Sequence, residues 1–78
     1  MLYTAKCYWP GVSEAELERA VSALDCRGAL YFPGDEVVLC VVEAASRAAV
    51  KEASERAGLP CERVIDSVWI EANERRGR

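Results

Sequence analysis

Six consecutive apolar residues, Val37-Val38-Leu39-Cys40-Val41-Val42, constrain this chain more than any other feature. The run is rich in β-branched side chains and too short for a buried helix, so it predicts a strand covered on both faces. Ser46 follows as a helix cap, and Gly58 with Pro60 supplies the stop. Glu36 to Pro60 therefore reads as strand, tight turn, helix and stop.

The rest of the chain supplies partners for that unit. Leu2 to Trp9 alternates as a strand, with Tyr3, Ala5, Cys7 and Trp9 on one side and Leu2, Thr4, Lys6 and Tyr8 on the other. Pro10-Gly11 ends it. Ser13 and Glu16 have the spacing of a capping box, with Val12 and Leu17 as its hydrophobic staple. Leu17, Ala20, Val21 and Leu24 then form one apolar helical stripe. Asp25 to Gly28 closes that helix, and Ala29 to Phe32 predicts a short second strand. Pro33-Gly34 predicts a type II turn, in which the glycine takes the positive φ. Strand three runs back from Glu36. The second helix is expected to bury Val50, Ala53 and Ala57 and to pair Glu52 with Arg56 outside. A last strand is expected over Arg63 to Glu71. Residues 1–72 read as one domain, and 73–78 as a flexible C-terminal tail.

The order β-α-β-β-α-β is the split βαβ pattern of the α+β ferredoxin-like fold. It places two helices on one face of a four-stranded antiparallel sheet, with strands one and three central. Two short helices cover one face only. If Val38, Cys40 and Val42 meet the helices, Val37, Leu39 and Val41 emerge on the open face, where a solvated sheet would alternate with polar residues. Strand four raises the same difficulty, since Val64, Val68 and Ile70 oppose Ile65 and Trp69. The expectation is a homodimer that buries Val37, Leu39 and Val41 of both copies.

With 78 residues, a net charge of −3 and 29% charged side chains, the chain is a small acidic globular protein. Negative charge argues against nucleic-acid or anionic-membrane partners. The chain has no histidine, and its four cysteines form no CxxC pair, so neither a metal site nor a cofactor is expected. No secretory leader precedes Leu2, which points to a reducing cytoplasm with free thiols. Cys40 reads as a small buried hydrophobe; only Cys7 and Cys26 have basic sequence neighbours. Trp9 and Trp69 read as packing residues.

The residues from Asp35 to Trp69 also resemble a family of small ferredoxin-like domains of unknown function (DUF4242-like), one branch of which is nickel-binding and dimeric. The matching stretches are Asp35-Glu36-Val37-Val38-Leu39-Cys40, Glu43-Ala44, Ala48-Ala49-Val50, Ala57-Gly58-Leu59-Pro60 and Arg63-Val64-Ile65. Tyr8-Trp9-Pro10-Gly11-Val12-Ser13 fits at the start. The resemblance implies the fold and the dimer. It does not imply nickel here, because the nickel branch carries histidines near the end of strand one and on the helices. The first helix and its link to strand two are also shorter than in that family.

Parity places Thr4, Lys6, Tyr8, Glu43 and Asp66 on the open face. Lys6, Tyr8, Glu43 and Asp66 are the candidate ligand-binding residues, lining a cavity between two facing sheets. No catalytic residue stands out. Two readings of function follow. One is a non-catalytic homodimeric binding or scaffold module. The other is a small cofactor-free dimeric α/β-barrel enzyme of monooxygenase or isomerase type, whose proton transfer would fall to Glu43, Asp66 or Tyr8; the family resemblance adds a nickel-binding relative that has lost its metal site. A solidly packed sheet face favours the first, a deep closed pocket the second.

Overall fold

The computed structural model of the protein describes residues 1–72. The tail expected over 73–78 lies outside the described residues. The elements are β1 (Leu2–Tyr8), α1 (Glu14–Leu24), β2 (Gly28–Phe32), β3 (Val37–Glu43), α2 (Arg47–Arg56) and β4 (Cys61–Ser67). The strands form one antiparallel sheet in the order β2-β3-β1-β4, with β1 and β3 central. This is the ferredoxin-like α+β fold.

The β3 run divides by parity as its sequence requires. Val38, Cys40 and Val42 are buried, together with Tyr3, Ala5 and Cys7 of β1. Leu17, Ala20 and Leu24 of α1, Val50 of α2 and Leu59 complete that core, so both helices lie on one face of the sheet. Helix α1 begins with the capping box: the Glu16 amide donates to Ser13 Oγ at 3.1 Å, and the Ser13 amide donates to Glu16 Oε1 at 3.4 Å. Helix α2 starts likewise, with the Ala49 amide on Ser46 Oγ at 3.1 Å.

The end of α2 shows why a glycine stands there. Gly58 takes φ +83, its amide donates to Glu55 O at 3.1 Å, and the Leu59 amide donates to Ser54 O at 2.9 Å. This is a Schellman stop, and it drives Leu59 into the core at 3% exposure. The buried stripe of α2 is centred on Val50 and Ser54, whereas Ala53 and Ala57 are only partly covered. Ser54 can be fully buried because its hydroxyl donates to Val50 O at 2.8 Å.

Two sequence expectations about turns and ends need correction. Between the paired residues Phe32 and Val37 the loop has four residues. The Asp35 amide closes a turn onto Phe32 O at 3.1 Å, and the left-handed residue is Glu36, at φ +57, not Gly34. A four-residue hairpin loop built on a type I turn places its reversal after the turn rather than inside it. Strand β4 starts at Cys61 and stops at Ser67, four residues short of Glu71. Ser67 is opposite Leu2, the first residue of β1, so little backbone remains for Val68 to Glu71 to pair with. Among the described residues no helix is long and apolar enough to cross a membrane.

Candidate functional site

The face of the sheet away from the helices carries the site. Cross-strand register sets its rows: Phe32, Val37 and Tyr8; then Leu30, Leu39, Lys6 and Arg63; then Gly28, Val41, Thr4 and Ile65. Seven of these eleven residues are aliphatic or aromatic. Val37, Leu39 and Val41 are only half-buried, and Leu30 is 63% exposed. Gly28 has no Cβ, and nothing lies within 4 Å of where one would stand. The position beside Val41 is therefore left hollow at the sheet edge.

That hollow is part of an apolar groove of about 650 Å³. Its floor is Thr4, Leu39 and Val41, its wall Gly28 and Leu30, and Trp69 closes one side. Strands β2 and β4 are opposite edges of the sheet, yet Trp69, just past β4, shares this groove with Leu30 of β2. The segment after Ser67 thus comes across the open face. It covers that face poorly: Val68, Trp69 and Ile70 are 80%, 62% and 79% exposed.

The polar groups around the groove already have partners. Thr4 Oγ1 and Ser67 Oγ share a hydrogen bond of 2.7 Å. Lys6 lies 3.8 Å from Glu62. Glu43 sits at the end of β3 beside Arg27 of the groove rim at 3.2 Å, and beside the N-terminal ammonium at 3.5 Å. Tyr8 is half-exposed at the far end, next to Val37.

Of the four residues expected to line one cavity, the structure keeps Lys6, Tyr8 and Glu43 on or beside the open face. They are spread over the length of β1 and β3 rather than gathered. Asp66 is elsewhere. It pairs with the buried Tyr3 in the register, so it lies on the helix side, where it holds Arg47 of α2 at 2.7 Å. Strand four is apolar at both parities, which is why the sequence could not orient it. Sequence reasoning also passed over Gly28 and Arg27, which read as the end of helix one. In sequence Trp69 has the setting of a packing residue within a strand.

The four thiols, distant in sequence, lie close together beneath the helices. Cys7 is directly opposite Cys61, and diagonal to Cys40, whose partner is Ala5. All four are free. The neighbouring Cys7 thiol and burial push Cys40 far above the usual thiol range. Burial also raises Cys61, opposed in part by the Ser54 hydroxyl and the Lys51 ammonium. Among the described residues no three histidine, cysteine, aspartate or glutamate side chains converge as a metal site.

Comparison with known proteins points one way. A family model described as nickel responsive protein SCO4226-like matches residues 11–66. The crystal structure of SCO4226 from Streptomyces coelicolor A3(2) superposes with a TM-score of 0.75 at 21% identity, covering 92% of this chain and 100% of that one. At that identity the superposition speaks for the fold. No curated protein matches the chain.

Proposed function

This chain belongs to the SCO4226-like family of nickel responsive proteins, and within that family we propose that it is a homodimeric, non-catalytic binding module. In this reading the open sheet faces of two copies pack on each other and turn the apolar groove into a closed cavity. The observation that carries it is the open face itself: Val37, Leu39 and Val41 in a row down a central strand, only half-buried, beside an apolar hollow of about 650 Å³. The apolar surface they still expose would gain roughly 25 cal/mol per Å² on being covered. A second copy is the self-complementary cover for it. The free thiols suit a reducing cytoplasm.

The family description implies nickel, and the donors of this chain do not fit that ion. Nickel sites draw on imidazoles and on open nitrogen, oxygen or thiolate donors. Here there is no histidine. The carboxylate bordering the groove, Glu43, is held by Arg27 and by the N-terminus. Cys7 and Cys40 are fully buried under the helices. The reading therefore assigns the cavity to an uncharged, largely apolar ligand, because its walls are apolar and its rim charges are satisfied.

The alternative, a cofactor-free dimeric enzyme, needs a proton acceptor inside the cavity. Asp66 is on the opposite side of the sheet, and Glu43 is engaged by two cations. This favours binding over catalysis. Native mass spectrometry of the purified protein tests the proposal, with a dimer mass and a small-molecule adduct as the expected result. A bare monomer would overturn it.

A further inference from the structure

A second groove, of about 520 Å³, lies between α2 and β4 on the other side of the sheet. Arg47, Lys51, Cys61, Glu62 and Arg63 border it; Arg63 pairs with Lys6 in the register and so belongs to the open face, and Glu62 is engaged by Lys6, which leaves Arg47 and Lys51 as the groove's own cations. Arg47 is engaged by Asp66, whereas Lys51 has no ion-pair partner among the described residues. Lys51 is thus an unpaired cation beside a partly exposed thiol.

Directly behind that thiol is a second one. Cys7 and Cys61 are register partners across β1 and β4. Opposed residues of an antiparallel pair have Cα atoms about 4.5–5.5 Å apart, within the roughly 4.4–6.8 Å that a disulfide spans. The pairing shifts between Lys6 and Cys7, a bulge that loosens β4 at this point. The Cys61 amide turns back to Leu59 O at 2.9 Å, and its Sγ lies 3.5 Å from Arg63 O, near the surface. Cys7 has no exposed surface. One thiol is therefore reachable from solvent, and the other is reachable only from the first.

We infer that Cys61 and Cys7 form a redox-active pair whose substrates are anionic low-molecular-weight disulfides. The Cys61 thiolate attacks one sulfur of the small disulfide. That S–S bond breaks, and the released thiolate takes up the proton Cys61 gave up. Cys7 then loses its proton and attacks Sγ of Cys61. The Cys7–Cys61 bond forms, and the second small thiol leaves with the proton. Two protein thiols are oxidised and one small disulfide is reduced to two thiols. Lys51, the cation beside Cys61, receives a carboxylate of the substrate.

The test uses the full chain at about pH 9, because burial holds the Cys61 thiol above its ordinary range, with oxidised glutathione as the anionic probe and 2-hydroxyethyl disulfide as the neutral one. Oxidised glutathione should lower the intact mass by about 2 Da, the two hydrogens lost in disulfide formation. Peptide mapping should find Cys7 joined to Cys61. Cys7→Ala should stop at a glutathione adduct on Cys61, and Cys61→Ser should abolish reaction. Lys51→Gln should slow oxidised glutathione several-fold and leave the neutral disulfide unchanged. A wild-type cross-link through Cys26 or Cys40, or a stable Cys61 adduct that never resolves, would overturn the inference. So would inertness of the native protein toward both disulfides while all four thiols react once it is unfolded. The wild-type map decides even if Cys7→Ala fails to fold.

Discussion

The Gly11 amide donates to the carboxylate of Glu36 at 3.1 Å, joining two residues that both have positive φ, +75 and +57. Glu36 also accepts the Trp9 amide on its carbonyl at 2.9 Å. One residue of the β2–β3 hairpin thus holds the loop that leads from β1 into α1. A glutamate in the left-handed region costs about 1–2 kcal/mol, which these two bonds help offset.

Glu36→Ala keeps the backbone cost and loses the side-chain bond. It should destabilise the protein by about 1 kcal/mol. Glu36→Gly loses the same bond but relieves the backbone, and should be more stable than the alanine variant by roughly 1 kcal/mol. Denaturant midpoints of the two variants check the order. The reverse order would mean that Glu36 is unstrained.

Ser13→Ala removes the acceptor of the Glu16 amide. The expected loss is on the order of 1 kcal/mol, read as a lower midpoint with an unchanged slope. An unchanged midpoint would show that the cap contributes nothing.

Asp66→Asn tests the placement of that side chain. Its partner Arg47 is exposed, and such pairs are worth about 0.2–1 kcal/mol. Stability should hardly move, and assembly and any ligand carried in the cavity should be unaffected. Loss of the ligand on this substitution would return Asp66 to the open face.

Much of this fold is written in local sequence. The β3 run, the Ser13 and Ser46 caps and the Gly58 stop are short-range signals whose physics is complete within a few residues. What the sequence hides depends on partners. Val68, Trp69 and Ile70 have the propensity of a strand, yet β1 runs out at Leu2 and leaves them little to pair with. Ser54 breaks the expected alanine stripe because its hydroxyl finds Val50 O within its own helix. The approach of Cys7 to Cys61 is a matter of register between strands at opposite ends of the chain. The groove shows the same division. Its floor, Leu39 and Val41, follows from β3 parity, while its wall at Gly28 and its Trp69 side emerge only from the folded chain.

Nickel titration followed by calorimetry should show no saturable site near micromolar affinity, given the donors available. A stoichiometric isotherm would point to cysteines or carboxylates meeting across two copies.

The central claim is that the open sheet face is an interface between two copies of this chain. Light scattering behind a sizing column tests it most directly, on wild type, Leu39→Lys and Cys40→Ser. The account predicts a wild-type mass twice the 8.6 kDa of one chain. It predicts a monomer or an unfolded chain for Leu39→Lys, since a desolvated lysine cannot sit in an apolar interface. Cys40→Ser, altered on the helix side, should keep the dimer. A wild-type protein that elutes at 8.6 kDa at working concentration would contradict the account.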